Sequence, residues 1–235
     1  MPSTKRARAV NRLLEALPGN DRRRIVNECE TVDLVSGEVL AIAGQRIGHV
    51  YFPTTSLISL ITPPGASAAF AVGLVGNEGM FGIPLVLGVN VSRVQALVQC
   101  AGSALRMNAA TFCRELGRSR ALQRGLDRYV FVQLSQLGQT AACTRFHVVE
   151  ARLACWLLMT QDRAREDAFH ITHESLGFML GVRRVGITRA ATSLQKRQLI
   201  HYSRGNITVL NRRGLMAASC GCYQAGRVSY EDVLN

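Results

Sequence analysis

The sequence predicts an α+β protein made of an antiparallel β-roll, one long helix and a small helical unit closed by a hairpin. Three observations predict it. Short apolar runs punctuated by Gly, Pro and Ser fill residues 31–107, and helical spacing takes over from about Ala109. Two short helix patterns then flank Gly181, ahead of a final pair of alternating strands.

The 235 residues suffice for two modest domains, and 48% are hydrophobic against 19% charged, the balance of a chain that buries a core. No apolar run approaches the roughly 18 residues of a membrane span. The opening stretch MPSTKRARAVNRLLEALPG is basic but lacks the apolar segment and cleavage site of a signal peptide. The expectation is a cytoplasmic chain that starts with a short amphipathic helix, with Val10, Leu13, Leu14 and Leu17 on one side. A second helix follows the Pro18-Gly19 break, with Asn20 as its expected cap.

From Thr31, the runs VDLV, VLAIA, HVYFP, SLISLI, AAFAVGLV, VQALVQ and SALRM have the length of strands. Gly37, Gly44, Gly48 and Pro63-Pro64-Gly65 mark turns between them, so an antiparallel sandwich or barrel is expected. Further on, Leu126, Val130, Gln133, Leu137 and Thr140 recur at 4-3-4-3 steps, the seam of a helix that packs on a partner helix. Tyr129, Val132 and Leu134 lie off that seam. Such a helix either faces both its own domain and a second copy of itself, or is buried within a monomer. Another helix is expected over 148–159, after a polar joint at 142–146. The expected parts are a β-roll over 1–110, a dimerisation helix and hinge over 111–146, and a third unit over 147–235.

Charge narrows the function. Twenty-eight Lys and Arg against sixteen Asp and Glu give +12, with a pI near 10.2. The excess is not spread evenly. No acid occurs from Ser175 to Tyr230, while Arg183, Arg184, Arg189, Lys196, Arg197, Arg204, Arg212, Arg213 and Arg227 all do. A nucleic-acid face is the natural consequence.

The seven cysteines are odd in number and scattered, and none forms a C-x-x-C pair, which suits reduced thiols rather than a disulfide framework. Cys220-Gly-Cys222 is closer than the usual metal knuckle, and is read as structural or incidental. His170 and His173 lack the i, i+4 spacing of a helical metal pair, so no metal site is expected, and His173 is expected near phosphates. There is no G-x-S-x-G, no phosphate-cradling loop and no paired carboxylate set, so an enzyme is not expected.

Around Gly181 the chemistry becomes specific. Thr172 is placed to cap a helix with an apolar stripe of Leu176, Met179 and Leu180. Gly181 ends it, Val182 plugs the corner, and a second helix starts near Arg183. In that second helix Ile187, Ala190, Ala191 and Leu194 face inward by 3.6 spacing. Arg184, Val185, Thr188 and Arg189 therefore face outward near its N-terminal end, where a recognition helix meets base edges. Residues 199–210 read as a hairpin with Arg204-Gly205 at its tip, and Arg204 and Thr172 are the expected phosphate contacts.

The stretch ITHESLGFMLGVRRVGITRAATSLQKRQLI, followed by HYSRGNITVLNRRGL, resembles the winged helix-turn-helix of the Crp/Fnr transcription regulators. Upstream, Gly37-Glu38-Val39-Leu40, Gly44 and Val50-Tyr51-Phe52 resemble that family's eight-stranded β-roll, the cupin-like cyclic-nucleotide-binding fold. The resemblance covers nearly the whole chain. It implies a homodimer formed through the helix over 119–145, with double-stranded DNA and RNA polymerase as partners and no membrane association. It also puts Arg184 and Arg189 at the guanine-reading positions, and Val185 where many members carry a glutamate. Valine cannot accept a hydrogen bond, so the half-site should differ at that base pair.

The family's ligand cassette matches at Gly82 and Arg93. Ile83 stands where the ribose-binding glutamate would be, and Val94 where the phosphate-binding hydroxyl would be. An unpaired ribose hydroxyl costs about 1–3 kcal/mol, so cyclic AMP should bind weakly or not at all. Arg93 either binds another anion or is simply solvated. The family's iron–sulfur cysteines and a haem ligand set are not matched, so neither cofactor is expected and the effector is unidentified. The alternative function is a small-molecule sensor module that acts through protein–protein contacts.

Overall fold

A computed structural model describes residues 10–62, 70–164 and 167–234; the expected Pro63-Pro64-Gly65 turn lies outside them. Two short helices come first, α1 (Arg12–Glu15) and α2 (Gly19–Asn27). Leu13, Leu14, Leu17 and Ile25 are buried, so this segment closes one end of the roll. Asn11, rather than an exposed polar residue, is the key to the corner. Its side-chain oxygen caps α1, and its amide donates to Pro53 O and Gly79 O. Asn20 does not cap α2. Pro18 holds the cap position, because a proline just before the first turn forfeits no helical N–H, and Asn20 instead accepts from Arg23.

The roll contains β1 (Glu30–Leu34), β2 (Val39–Ala41), β3 (His49–Pro53), β4 (Leu57–Ile61), β5 (Ala71–Val75), a short α3 (Ile83–Val86), β6 (Gln95–Cys100) and β7 (Gly102–Asn108). All pairings are antiparallel, in sheets ordered β1-β7-β3 and β2-β6-β4-β5. Seven strands, not eight, are formed among the described residues, and two isolated bridges, Arg46 to Val91 and Tyr51 to Phe81, extend the pairing. The short apolar runs fill the interior of the roll, with Val50, Phe52, Ile58, Val75, Ala96 and Val98 buried; β3 and β4 are buried along most of their length rather than on alternate residues.

Next come α4 (Ala109–Arg118) and the 27-residue α5 (Arg120–Phe146), capped by the Ser119 hydroxyl on Leu122 N. The polar joint expected at 142–146 is helical; the break falls at His147-Val148, before α6 (Val149–Ala164). Then follow β8 (Ala168–His170), α7 (His173–Leu180), α8 (Arg184–Lys196), β9 (Ile200–Ser203), β10 (Asn206–Val209), α9 (Arg212–Ala218) and α10 (Cys222–Leu234). The third sheet has the order β8-β10-β9.

Two apolar cores result. One fills the roll and takes in Leu122, Leu126 and Tyr129 of α5. The other joins α6 through α10, and it also buries Leu57, Ile61 and Leu74 of the roll. The halves are therefore fastened to each other by shared apolar surface, with each fully buried large side chain worth about 1.5–3 kcal/mol. A buried ion pair reinforces the joint: Arg163 Nε of α6 lies 2.8 Å from Glu78 in the β5–α3 loop. Gly79 in that loop has no alternative, since a Cβ there would sit 2.0 Å from the Tyr129 hydroxyl.

Within the single chain, two of the five expected seam residues are already engaged. Leu126 is buried in the roll of its own chain and Gln133 donates to the Tyr129 hydroxyl at 2.7 Å, so neither is left for a partner helix. The residues that α5 leaves exposed include Asp127, Phe131, Leu134, Gly138 and Ala141, each one position later than its expected counterpart. Phe131 and Leu134 are 56% and 62% exposed, against 1% for Leu126, and Leu137 stays 43% exposed beside them. Val130 and Thr140 are half-buried flanks.

Candidate nucleic-acid interface

Local sequence builds this surface step by step. The Thr172 hydroxyl accepts from Ser175 N and caps α7, and the same oxygen meets the Ser175 hydroxyl at 2.9 Å. At the other end Gly181 adopts φ +62°, the left-handed conformation that lets Val182 N close back on Gly177 O. Arg183 caps α8 through its backbone alone. Ile187, Ala190, Ala191 and Leu194 are buried beneath α8, while Arg183, Arg184, Val185, Thr188 and Arg189 are exposed, as the 3.6 spacing predicts.

The wing is also formed. Asn206 pairs with Ser203, and the two-residue turn places Arg204 at φ +49° and Gly205 at φ +84°, the type I′ geometry that suits strand twist. Arg204 is exposed at the tip, and Thr172 is exposed at the start of α7. All seven expected DNA-contact positions thus lie on the surface.

Three of the nine basic residues in the acid-free stretch are engaged elsewhere. Arg197 pairs with Glu150, Arg212 with Asp162 and Arg227 with Glu231. Among the described residues, Arg183, Arg184, Arg189, Lys196, Arg204 and Arg213 enter no ion pair. The positive surface is consequently narrower than the sequence count suggests, and it concentrates on α8 and the wing tip.

His173, expected near phosphates, is held by contacts within the chain. Its ring stacks on Tyr202 of the wing with centroids 4.0 Å apart, and its Nδ1 lies 3.1 Å from the Thr188 hydroxyl. That hydroxyl donates to Arg184 O at 3.1 Å, so Nδ1 must carry the proton it shares with Thr188. Nε2 is then the bare nitrogen, and it is buried without a partner. Burial, and next the Arg184 guanidinium, hold His173 below the usual histidine range. The imidazole therefore braces α8 against the wing. Nothing in the spacing of residues 173, 188 and 202 reveals this triad before the chain folds.

The four expected effector-pocket residues lie at the start of α3 and just ahead of β6. Gly82 caps α3, Ile83 opens it and packs on the roll core, and Arg93 is exposed without an ion pair among the described residues. Val94 is half-buried, held by Ser92, whose hydroxyl donates to Val94 O at 2.6 Å. A cavity of about 520 Å³ opens elsewhere, between β5, α5, α6 and α10, with Asn77, Glu78, Gln136, Arg152 and Asp162 on its wall.

The cysteines are less scattered in space than in sequence. Cys143 and His147 at the end of α5 meet Cys220 and Cys222 at the α9–α10 corner, with all four donor atoms within 4.8 Å of one another. Cys220-Gly-Cys222, expected to be structural or incidental, thus has two further potential ligand side chains beside it. The fold supplies the two missing donors from a helix some 75 residues earlier in the chain.

The helix-turn-helix family described as Crp-like matches residues 151–218. No curated protein matches the chain. Among solved structures, FixK2 from Bradyrhizobium japonicum is similar with a TM-score of 0.68 at 14% identity, over 82% of this chain and 98% of that one. A crp/fnr-family regulator from Eubacterium rectale gives 0.67 at 16% identity, over 88% and 96%. A CRP-family transcriptional regulator from Thermus thermophilus gives 0.65 at 14% identity, over 80% and 96%. Residues 151–218 match the Crp-like helix-turn-helix domain, and the chain that carries them shares the fold of these solved regulators.

Proposed function

We propose that this chain is a homodimeric, sequence-specific DNA-binding transcription regulator that reads a pseudo-palindromic operator with α8. The observation that carries the reading is the pair Arg184 and Arg189, exposed and without ion pairs among the described residues, on the outward face of the second helix of a Crp-like domain. A guanidinium presents two parallel donors to O6 and N7 of guanine, which a buried or paired arginine could not do. Val185 and the Thr188 methyl have no free acceptor to offer, and they suit a thymine methyl. Arg183, Thr172 and Arg204 flank this core as phosphate contacts.

The exposed apolar line of Phe131 and Leu134 would pair with the same line on a second copy, which sets two recognition helices about 34 Å apart. RNA polymerase is the further partner that the Crp/Fnr resemblance implies. The Ile83 and Val94 positions give a nucleotide neither carboxylate nor hydroxyl, so cyclic AMP should bind weakly or not at all. Seven free thiols and a DNA partner fit the cytoplasm.

Selecting duplexes from a random library, then measuring anisotropy with the wild type and the variants, tests the reading. Arg184→Ala and Arg189→Ala should each cost about 1–3 kcal/mol and relax the preference at one base pair. Equal binding to every duplex, or undiminished binding by the double variant, would count against it. A calorimetric titration with cyclic AMP should give no isotherm.

A further inference from the structure

We propose that Cys143, His147, Cys220 and Cys222 form a metal site that takes one zinc ion in a three-thiolate, one-imidazole set. Cys143 and His147 are i, i+4 on the last turn of α5 and its cap, so their side chains share one helix face. Cys220 precedes α10 and Cys222 opens it. A two-residue step is too short to fill all the corners of a tetrahedron from one strand of chain. Here it needs to supply only two of them, because α5 supplies the others.

All six donor–donor distances lie within 4.8 Å, and two of them are close to those of a tetrahedral site. Zinc–sulfur bonds of about 2.3 Å and zinc–nitrogen bonds of about 2.0–2.1 Å place tetrahedral donor atoms about 3.5–3.8 Å apart. Cys143 Sγ lies 3.5 Å from Cys220 Sγ, and Cys222 Sγ lies 3.4 Å from His147 Nδ1. Three sulfurs and an imidazole favour zinc over the hard cations magnesium and calcium. The surroundings suit the task as well. Cys220 and Cys222 are buried, His147 remains exposed as an entry side, and Gln139 Nε2 donates to Cys222 Sγ at 3.0 Å, the kind of outer contact that orients a ligand. Bound metal would fasten the α9–α10 corner to the end of α5 and so tie the last helix to the long one.

The test uses the full, reduced chain and cobalt(II) as the probe. The expected result is one cobalt per chain, with the intense visible bands of a tetrahedral thiolate site, displaced by zinc. Cys220→Ser should abolish those bands. His147→Gln, at an exposed position, and Gln139→Leu should weaken metal binding by more than about tenfold, whereas Cys113→Ser, away from the cluster, should leave it unchanged. Failure of the reduced protein to develop the bands would overturn the site. So would bands that survive in folded Cys143→Ser or Cys220→Ser, or a Cys143–Cys220 disulfide that forms equally with and without zinc. If the cysteine variants do not fold, His147→Gln and Gln139→Leu decide the matter.

Discussion

The Thr188 hydroxyl carries more than its place on α8 suggests, since it donates to Arg184 O and accepts from His173. Protonating His173 would put a hydrogen on the buried, partnerless Nε2. Its folded-state pKa is depressed, so the folded protein binds fewer protons than the unfolded chain below the usual histidine value of 6.5. The stabilisation is present above that value and lost as pH falls through it. Thermal melts between about pH 7.5 and 5.5 should therefore show a steeper decline for the wild type than for His173→Gln. Equal slopes would remove the histidine from the account. Gly181 makes a second prediction at this scale. Its φ of +62° strains any side chain, so Gly181→Ala should cost about 1 kcal/mol or more in denaturant titrations, with Phe70 already 3.4 Å from the new Cβ.

Among the elements, α5 divides its apolar residues between two duties. Leu126, Tyr129 and Val132 are fully buried within one chain, and Phe131 and Leu134 are left outside. The 4-3-4-3 periodicity was legible in the sequence, yet its phase was not. A helix apolar on two sides offers two overlapping stripes one residue apart, and only the position of the roll selects the inner one. The two stripes should respond differently. Leu126→Ala should cost about 2–5 kcal/mol of stability while leaving the oligomer intact. Leu134→Arg should leave the melt near wild type and convert the dimer to monomer by sedimentation. Dimers that survive Leu134→Arg would place the interface elsewhere. The α7–α8 pair, by contrast, was legible almost to the residue, because a capping threonine, a left-handed glycine and a 3.6-residue stripe are all local signals.

For the whole molecule the decisive feature is how the two halves are joined. Glu78 and Arg163 are 6% and 8% exposed, and they meet across the roll and α6. Removing one charge strands the other, so Arg163→Met should destabilise the protein by about 3–5 kcal/mol in urea unfolding. Arg163→Met with Glu78→Leu should regain much of that loss; a double variant no better than the single one would show that the pair is not coupled. The last helix, α10, returns from the helix-turn-helix half to lie on α5, and Tyr230 and Leu234 pack against the roll core. No spacing in the sequence announces a contact between residues 78 and 230.

The sequence by itself determined the elements whose causes are local. Short apolar runs between turn residues wrote the strands, caps and glycines bounded the helix-turn-helix, and the missing acids between residues 175 and 230 marked the positive face. Tertiary structure alone decided the phase of α5, the pairing of Glu78 with Arg163, the bracing of α8 by His173 and the meeting of Cys143 and His147 with Cys220 and Cys222. Those depend on which surfaces the two cores bring together, and proximity between residues tens of positions apart leaves no periodic trace in a single chain.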